Sequence, residues 1–169
     1  YVDDTEGWKN IQDSTSNAIG NPFLVASGGT ESTCGNFKIH KFTGPGTFTV
    51  SQISQTAAEN TVSYLVVAGG GAGGSNRAGG GGGGGFREFK GPADCYSASP
   101  LNGNPGGTSV TVTATSFPIT VGAGGAGNNC STTGVNGNPS VFSTITSTAG
   151  GGGGARVAGA AGGSGGGAA

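Results

Sequence analysis

The sequence predicts an all-β or irregular fold in which short β-strands and hairpins lead into a packed bundle of polyglycine II-type helices. Forty of the 169 residues are glycine, and most of them cluster in tracts that follow strand-like apolar runs. No window after residue 20 keeps the 3.6-residue apolar period of an α-helix without meeting glycine or proline. Strands and glycine tracts are therefore the predicted building blocks.

Three units of strand followed by glycine support this architecture. The apolar or β-branched runs cover residues 64–68, 118–121 and 141–146, and the tracts after them cover residues 69–74, 122–127 and 150–154. Seven consecutive glycines, residues 79–85, form a further tract behind the first unit. Because the pattern repeats, it indicates a regular folded arrangement rather than a chance effect of the high glycine content.

An ordered glycine tract needs dense backbone contacts, because glycine loses about 0.5–1 kcal/mol more than alanine when it is fixed in regular structure. Polyglycine II-type helices rise about 3.1 Å per residue and have no internal hydrogen bonds. Packed side by side without Cβ atoms, such helices can pair each other's N–H and C=O groups. The predicted scaffold positions are Gly69, Gly70, Gly71, Gly81, Gly83, Gly124, Gly125, Gly151 and Gly152.

Composition excludes several classes of protein. The net charge is −1, charged residues make up 9% and apolar residues 33%, which does not fit a charged, disordered chain. The glycines do not recur at every third position, as collagen requires. Basic residues are scattered, whereas nucleic-acid binding needs a clustered basic face. No apolar run approaches the ~18 residues that span a bilayer, so membrane insertion is not expected.

Two regions are predicted along the chain. Residues 1–35 hold the single tryptophan and several acidic residues and are interpreted as a lead-in or attachment region. Residues 36–169 are predicted to form a β-hairpin followed by the glycine-rich sandwich. The sequence contains no methionine and begins at Tyr1, so we expect a processed product or a fragment.

The predicted hairpin joins residues 37–42 to residues 47–51 through Gly44-Pro45-Gly46. Proline and glycine suit the two central positions of a type II turn, and the flanking β-branched and aromatic residues favour strands. Residues 108–114 alternate as a second strand with Val110, Val112 and Ala114 on one face. Residues 86–90 are predicted to restart the sheet as an edge strand.

The three cysteines are Cys34, Cys95 and Cys130, and none forms a C-x-x-C pair. Zinc is therefore not expected. Cys95 and Cys130 lie in two irregular insertions and could form a disulfide in an oxidising compartment, which would leave Cys34 outside the pair. Three isolated cysteines are the alternative interpretation.

No catalytic, cofactor or metal site is predicted. Residues 69–74 satisfy G-x-G-x-x-G, but the dinucleotide fingerprint needs a helix at the turn, and residues 79–85 forbid one. Residues 162–166 satisfy G-x-S-x-G without the strand and helix of a nucleophile elbow. The single histidine, His40, is interpreted as an exposed strand residue rather than a general base. The chain is accordingly predicted not to be an enzyme.

The irregular insertions between the tracts are the candidate binding loops, because variable loops on a rigid scaffold commonly carry binding. They cover roughly residues 75–78, 86–107 and 128–138. Tyrosine and asparagine suit adaptable recognition surfaces, although asparagine beside glycine or proline also forms simple turns. The candidate contact residues are Arg77, Arg87, Lys90, Tyr96, Asn102, Asn104, Asn129 and Asn136.

The ordered series of motifs resembles the glycine-rich domain of bacteriophage tail-fibre and appendage proteins. The series is formed by residues 42–50, 64–71, 79–88, 119–125 and 146–151. It is also similar to the tip adhesins of T-even-type long tail fibres, in which polyglycine II helices form a sandwich with distal contact loops.

The resemblance implies a virion protein, extracellular on the particle, that attaches to a host-surface receptor of protein or glycan. It also implies contacts with other tail subunits and a possible homo-trimer. Two alternatives stay open: a structural virion component, such as a fibre shaft, collar or capsid decoration, and a secreted matrix protein.

Overall fold

The computed structural model describes residues 2–3, 7–8, 23–92, 94, 96–103, 108–127 and 132–168. This part of the chain is built from short strands with one 3₁₀ turn, so the predicted all-β class is confirmed. None of its helical residues forms an apolar helix that could cross a membrane. The elements are β1 (Val2–Asp3), β2 (Gly7–Trp8), β3 (Val25–Ser27), β4 (Thr30–Cys34), β5 (Phe37–Lys41), β6 (Gly46–Gln52), the 3₁₀ turn (Ala57–Asn60), β7 (Thr61–Val62), β8 (Tyr64–Val67), β9 (Phe86–Phe89), β10 (Val110–Thr111), β11 (Ser116–Thr120), β12 (Ser140–Phe142) and β13 (Ile145–Ser147).

The largest sheet has five antiparallel strands in the order β13-β12-β11-β6-β3. Its centre pairs Phe117 on β11 with Phe48 on β6, which brings together segments almost 70 positions apart in the chain. Four further pairs, β1-β2, β4-β5, β7-β10 and β8-β9, form two-stranded sheets. Strand β3 pairs with β6 across the predicted boundary at residue 35, and the two-region division stays a prediction.

The strands of the predicted hairpin are present, but their predicted pairing is wrong. Strand β5 pairs with β4 in register from Thr30↔Lys41 to Cys34↔Phe37, and β6 pairs with β3 and β11 instead. The turn between β4 and β5 has Gly35 at φ 58°, a left-handed conformation that glycine adopts without steric cost. This two-residue turn forms the hairpin, and Gly44-Pro45-Gly46 carries the chain to the large sheet.

The single strand predicted over residues 141–146 is two strands. Ser143 has φ 53°, and Phe142 pairs with Ile145 on the other side of the turn. The positive φ reverses the chain, so β12 and β13 form a tight hairpin. The predicted alternation at residues 108–114 holds for Val110 and Val112, which are buried, while Ala114 is exposed.

The core lies between the large sheet and the β8-β9 ribbon and is centred on Phe142. Its ring centroid lies 6.2 Å from Phe48, 6.1 Å from Tyr64 and 6.2 Å from Phe117. These edge-on arrangements are the ones that aromatic rings prefer. Aliphatic residues from four strands, among them Val50 and Ile145, complete the cluster. The β8-β9 ribbon is thereby fixed on the sheet, with Ala68 and then Gly69 after β8 and Gly85 immediately before β9.

Six glycine-rich segments, with neither helical nor strand structure, extend beyond the sheets as an array. We number them in chain order: segment 1 (68–75), segment 2 (79–85), segment 3 (122–127), segment 4 (132–138), segment 5 (149–154) and segment 6 (159–167). Segments 1, 2, 3 and 5 contain the predicted tracts. Segments 4 and 6 were not among the predicted tracts.

The array is held by backbone hydrogen bonds that recur every third residue. In segment 1, every third amide from residue 68 donates to segment 2, and every third amide from residue 69 donates to segment 4, over 2.8–3.1 Å. A β-ladder repeats instead with a period of two. The pairs are Ala68 to Gly85, Gly71 to Gly82 and Gly74 to Gly79 in the first set, and Gly69 to Asn138, Ala72 to Val135 and Ser75 to Thr132 in the second.

Segment 5 is the centre of the array. Its residues 150–154 are all buried, and its neighbours are segments 1, 2, 4 and 6. Amides at every third position of segment 2 donate to segment 5 and to the residue before it over 2.7–2.8 Å, from Gly79 and Gly82 to Gly154 and Gly151 and from Gly85 to Thr148. The backbone therefore forms the interior that apolar side chains form in the sheet region.

Six of the nine predicted scaffold glycines leave no room for a Cβ atom. At Gly69, Gly71, Gly81, Gly125, Gly151 and Gly152 an added Cβ would collide with a backbone carbonyl of a neighbouring segment. At Gly70, Gly83 and Gly124 the nearest atoms would lie 3.4, 3.8 and 3.6 Å away, which is ordinary contact. Among these nine positions, the close approach of neighbouring backbones therefore requires glycine only at the first six.

Candidate binding surfaces

Among the predicted contact residues, Arg77 lies beyond one end of the β8-β9 ribbon, and Lys90, Tyr96 and Asn102 follow its other end. Strands β8 and β9 are antiparallel, with Val67 opposite Phe86 at the glycine side and Tyr64 opposite Phe89 at the other side. Segments 1 and 2 continue the ribbon away from the core and are joined by residues 75–78. The insertion that follows β9 begins at the far side of the ribbon. We call the two surfaces the distal tip and the sheet-end loop.

The distal tip, formed by residues 75–78, 132 and 155–157, is held together by the last bonds of the array. Gly79 donates to the carbonyl of Gly154 over 2.8 Å, so the turn before Gly79 lies beside the turn after Gly154. Ser75 and Thr132 bond reciprocally, with the Ser75 amide donating to the Thr132 carbonyl over 3.1 Å and the Thr132 amide to Ser75 Oγ over 3.3 Å.

Both tip turns hold an arginine in a left-handed backbone conformation. Arg77 has φ 60° and Arg156 has φ 61°, and both side chains are exposed. This conformation costs a residue with a Cβ about 1–2 kcal/mol, a cost that glycine avoids. A chain that uses glycine at 40 positions has arginine at these two.

Neither tip arginine has an ion-pair partner among the described residues. Arg77 and Arg156 are the only charged residues of residues 68–85 and 122–168, and Asp94 is the last acidic residue of the sequence. Among the described residues, no carboxylate lies within ion-pair distance of either guanidinium. The tip therefore carries positive charge at the end of an otherwise uncharged array.

The sheet-end loop, described at residues 90–92, 94 and 96–103, is anchored by the buried carboxylate of Glu88. Only 1% of Glu88 is exposed, although it lies in the short strand β9. Its Oε2 accepts the Ser99 amide over 3.0 Å and also the Ser99 hydroxyl, and its backbone carbonyl accepts the Gly103 amide over 3.0 Å. These charge-assisted bonds satisfy a carboxylate that would be costly to bury alone.

Three predicted contact residues come together in this loop. The Lys90 ammonium lies 5.7 Å from the centre of the Tyr96 ring, within the range of a cation–π contact. The Lys90 amide donates to Asn102 Oδ1 over 2.9 Å. The start of the loop is fixed by the Gly91 amide, which donates to Ser63 Oγ over 2.7 Å and to Asp94 Oδ2 over 2.9 Å.

Tyr96 is held in its neutral form. Desolvation, then the negative charges of Glu88 and Asp94, and then a hydrogen bond with Glu88 raise the pKa of Tyr96 to about 12. The ring is nevertheless 39% exposed. Tyr96 can therefore present part of an aromatic surface to a ligand, while its hydroxyl is bonded to Glu88.

A groove of about 580 Å³ lies between the ribbon and segment 6. It is lined by residues 84–87, Leu101, Thr148 and residues 162–164. Arg87 supplies the only charge among these residues and donates a bond to the Phe86 carbonyl over 3.1 Å. This predicted contact residue is half-buried and belongs to the groove rather than to the tip.

The other predicted site residues divide into two groups. Asn136 accepts the Gly152 amide at its side-chain oxygen over 2.8 Å, so it supports the array. Asn104, Asn129, Cys95 and Cys130 lie outside the described residues, and the predicted disulfide stays a prediction. Cys34 is half-buried at the end of β4.

His40 is not the exposed residue that the sequence suggests. Its side chain is only 10% exposed, because its ring packs edge-on against Phe48 at 5.1 Å. Its Nδ1 donates to the Gly28 carbonyl over 2.8 Å. Within the described residues, no three His, Cys, Asp or Glu side chains lie together as a metal site would need.

Sequence reasoning missed Arg156 and the role of Glu88. Arg156 is the only charged residue after segment 5, and its turn interrupts a glycine tract, which is the signal that could have identified it. The sequence placed Glu88 only within the edge strand predicted over residues 86–90 and assigned its side chain no role. A glutamate between two aromatic residues in a predicted strand carries no sequence signal that distinguishes burial from exposure.

A comparison with protein families finds one described as a glycine-rich domain, whose model matches residues 42–169. The match begins after β5 and includes the large sheet from β6 onward, the β8-β9 ribbon and all six glycine segments. No curated protein and no solved structure matches the chain significantly.

Proposed function

The chain belongs to the glycine-rich domain family, and from this membership we propose that it is a non-catalytic bacteriophage virion protein. It acts as a tail fibre or related appendage and displays loops that attach the particle to the host surface. Its location is the virion, outside the cell, and its partners are a host-surface receptor and other tail subunits. The resemblance of about residues 37–160 to phage appendage domains supports this proposal.

The glycine segments act as a bundle of polyglycine II helices. Backbone bonds that recur every third residue support this geometry, because the polyglycine II helix has three residues per turn and leaves its peptide groups open to neighbours. Collisions of an added Cβ with neighbouring carbonyls at positions such as Gly71 and Gly152 fit helices packed backbone to backbone. The bundle is the rigid part of the molecule.

The function of this rigidity is to pre-organise the distal tip. Loops that are already ordered lose little conformational entropy when they meet a receptor. The single observation that carries the proposal is the pair of adjacent tip turns, each with an exposed arginine in a left-handed conformation. Backbone strain of this kind clusters at ligand-binding sites.

Competition for adsorption tests the proposal. The purified chain, added in excess to host cells, should reduce adsorption of phage particles that carry it. Replacing residues 75–78 by the turn Gly-Asn-Gly-Gly should weaken that competition, because it keeps the chain length and removes Arg77 from the tip. Competition that is absent in the unaltered, folded chain would contradict an attachment function.

A structural role in the virion is the second candidate, and one observation favours it. Leu65 is 55% exposed and Val67 is 49% exposed, and both lie on the same face of the β8-β9 ribbon, opposite Glu88 and Phe86. Exposed apolar residues grouped on one face are typical of a surface that another subunit covers. In that role the chain packs against itself, as in a trimer, or against another virion subunit.

Substitution of this face distinguishes the two roles. Leu65→Ser with Val67→Ser should impair particle assembly and leave adsorption competition by the isolated chain intact if the face binds a subunit. Loss of competition with normal assembly would place receptor binding on this face rather than at the tip.

A further inference from the structure

We propose that the distal tip binds an anionic cell-surface polymer, and that Arg77 and Arg156 are the residues that recognise its oxyanion groups. This inference rests on the proposed attachment function and names the ligand chemistry of the same surface. The occupant is a polysaccharide-type polymer with phosphate or carboxylate groups along its chain.

The two arginines lie on neighbouring turns of the tip. Segments 1 and 5 run parallel, with Gly150 donating to Gly69 and Gly153 to Ala72, both over 2.9 Å. The same offset of 81 positions puts Arg156 level with Ser75, two residues before Arg77. The two guanidinium groups therefore extend from neighbouring turns, which suits a ligand with at least two anionic groups.

The two arginines are the only charged residues in the sequence of the array. Residues 68–85 and 122–168 contain no acidic residue, so no carboxylate of the array competes with a ligand for the guanidinium groups. The planar guanidinium binds carboxylate and phosphate through paired hydrogen bonds. A chain with a net charge of −1 has little overall attraction for polyanions, whereas the tip offers a local positive charge.

Both arginines adopt a left-handed backbone conformation that costs free energy for a residue with a Cβ. Glycine would relieve the left-handed conformation of residues 77 and 156, yet arginine stands at both. Substitution by glycine is therefore expected to raise stability and lower binding together. A purely structural arginine would not produce these opposite effects.

The experiment measures binding of the full chain to immobilised polymers and its thermal unfolding in parallel. The probes are poly(glycerol phosphate), polygalacturonate and neutral dextran. We expect binding to one or both anionic polymers and none to dextran. The anionic polymer that binds more tightly identifies phosphate or carboxylate as the group that the tip recognises. Each arginine replaced by glycine should weaken binding by about tenfold and lower the salt slope by about one.

Two control variants separate charge from conformation. Ser143→Gly relieves a left-handed residue, φ 53°, without changing charge, and should raise stability with unchanged binding. Lys41→Ala removes an exposed positive charge far from the tip and should also leave binding unchanged. Arg77→Lys with Arg156→Lys keeps the charge without the planar fork and should bind with intermediate affinity.

Three results would overturn the inference. They are no binding to either anionic polymer at low salt, unchanged binding by the Arg77→Gly, Arg156→Gly double variant, and equally tight binding of duplex DNA through the same arginines. If the double variant still competes for adsorption, the attachment function stands and only the ligand assignment fails. If the unaltered chain binds anionic polymer but does not compete, the attachment function fails instead.

Discussion

The amide of Gly82 donates a 2.7 Å hydrogen bond to the carbonyl of Gly151 at the centre of the glycine array. Gly82 is buried, and a Cβ at this position would collide with the carbonyl of Ser164 on its other side. The next residue, Gly83, is exposed and would place a Cβ 3.8 Å from Ser164 Oγ. Two adjacent glycines of one seven-residue run therefore have opposite steric requirements.

Gly82→Ala should lower the free energy of unfolding by about 1–3 kcal/mol, because the added methyl group overpacks the interior. Gly83→Ala is the matched control, and it should be neutral or stabilise by up to about 1 kcal/mol, because it reduces the freedom of the unfolded chain. Chemical denaturation measures both. Equal effects of the two substitutions would mean that segments 1, 5 and 6 do not pack around segment 2.

Two buried serines that face each other across the β12-β13 hairpin should respond differently to substitution. Ser140 and Ser147 are partners in register and are 2% and 0% exposed. Ser140 Oγ accepts the Gly122 amide over 2.9 Å, whereas the Ser147 hydroxyl has no hydrogen-bond partner among the described residues.

Ser140→Ala should destabilise the fold by about 1–3 kcal/mol, because it leaves the amide that starts segment 3 unsatisfied. Ser147→Ala should be neutral or stabilising, because it removes a buried hydroxyl without breaking a bond. Thermal unfolding of the two variants checks the difference, and a larger loss for Ser147→Ala would be inconsistent with this hydrogen-bond pattern.

Removing the Glu88 carboxylate should release the sheet-end loop. Glu88→Ala leaves the Ser99 amide and hydroxyl without their acceptor, at a cost of about 1–3 kcal/mol. Glu88→Gln keeps an acceptor oxygen at the same place and should cost less. Proteolysis between residues 96 and 103 reports the release, and an equally resistant Glu88→Ala loop would show that the anchor lies elsewhere.

Tyr96 should lose its phenol proton at a higher pH than an ordinary tyrosine. Its folded pKa is raised to about 12 from an unfolded value near ~10, so the folded state favours the neutral phenol. The resulting stabilisation is fully present below the unfolded pKa and is lost as pH rises from about 10 to 12. Phenolate absorbance follows the ionisation, and the late component should become smaller in Tyr96→Phe, although burial also raises the pKa of Tyr64. A single transition near the ordinary value in the unaltered chain would contradict the desolvated, anionic surroundings.

Sequence patterns predicted where the strands and glycine tracts lie better than they predicted which strands pair. Strands over residues 64–68 and 86–90 and the glycine tracts appear close to where apolar runs and glycine clusters indicated them. The β4-β5 pairing was missed because a Gly-Pro-Gly turn is a stronger local signal than Gly35-Asn36. Which of two competing turns forms a hairpin depends on the strands that each would bring to the sheet.

The candidate site was less accessible from sequence. Segment 4 contains threonine, valine and asparagine, yet its backbone bonds pair with segment 1 as regularly as those of the polyglycine run. Register is a property of two segments, and neither sequence alone reveals it. The separation of Arg77 from Lys90 and Tyr96 likewise follows from the direction of the β8-β9 ribbon, which a linear reading of the insertions does not contain.

Residue-resolved amide hydrogen exchange tests the central claim, that the glycine segments form an ordered array bonded at every third residue. Along segments 1 and 2 the amides of Gly71, Gly74, Gly79, Gly82 and Gly85 donate to other segments, whereas those of Gly70, Gly73, Gly80 and Gly83 have no backbone acceptor among the described residues. The account predicts slow exchange in the first set and fast exchange in the second, with Gly150, Gly151, Gly153 and Gly154 slow as well. Uniformly fast exchange throughout the glycine segments, with a protected β-sheet core, would contradict it.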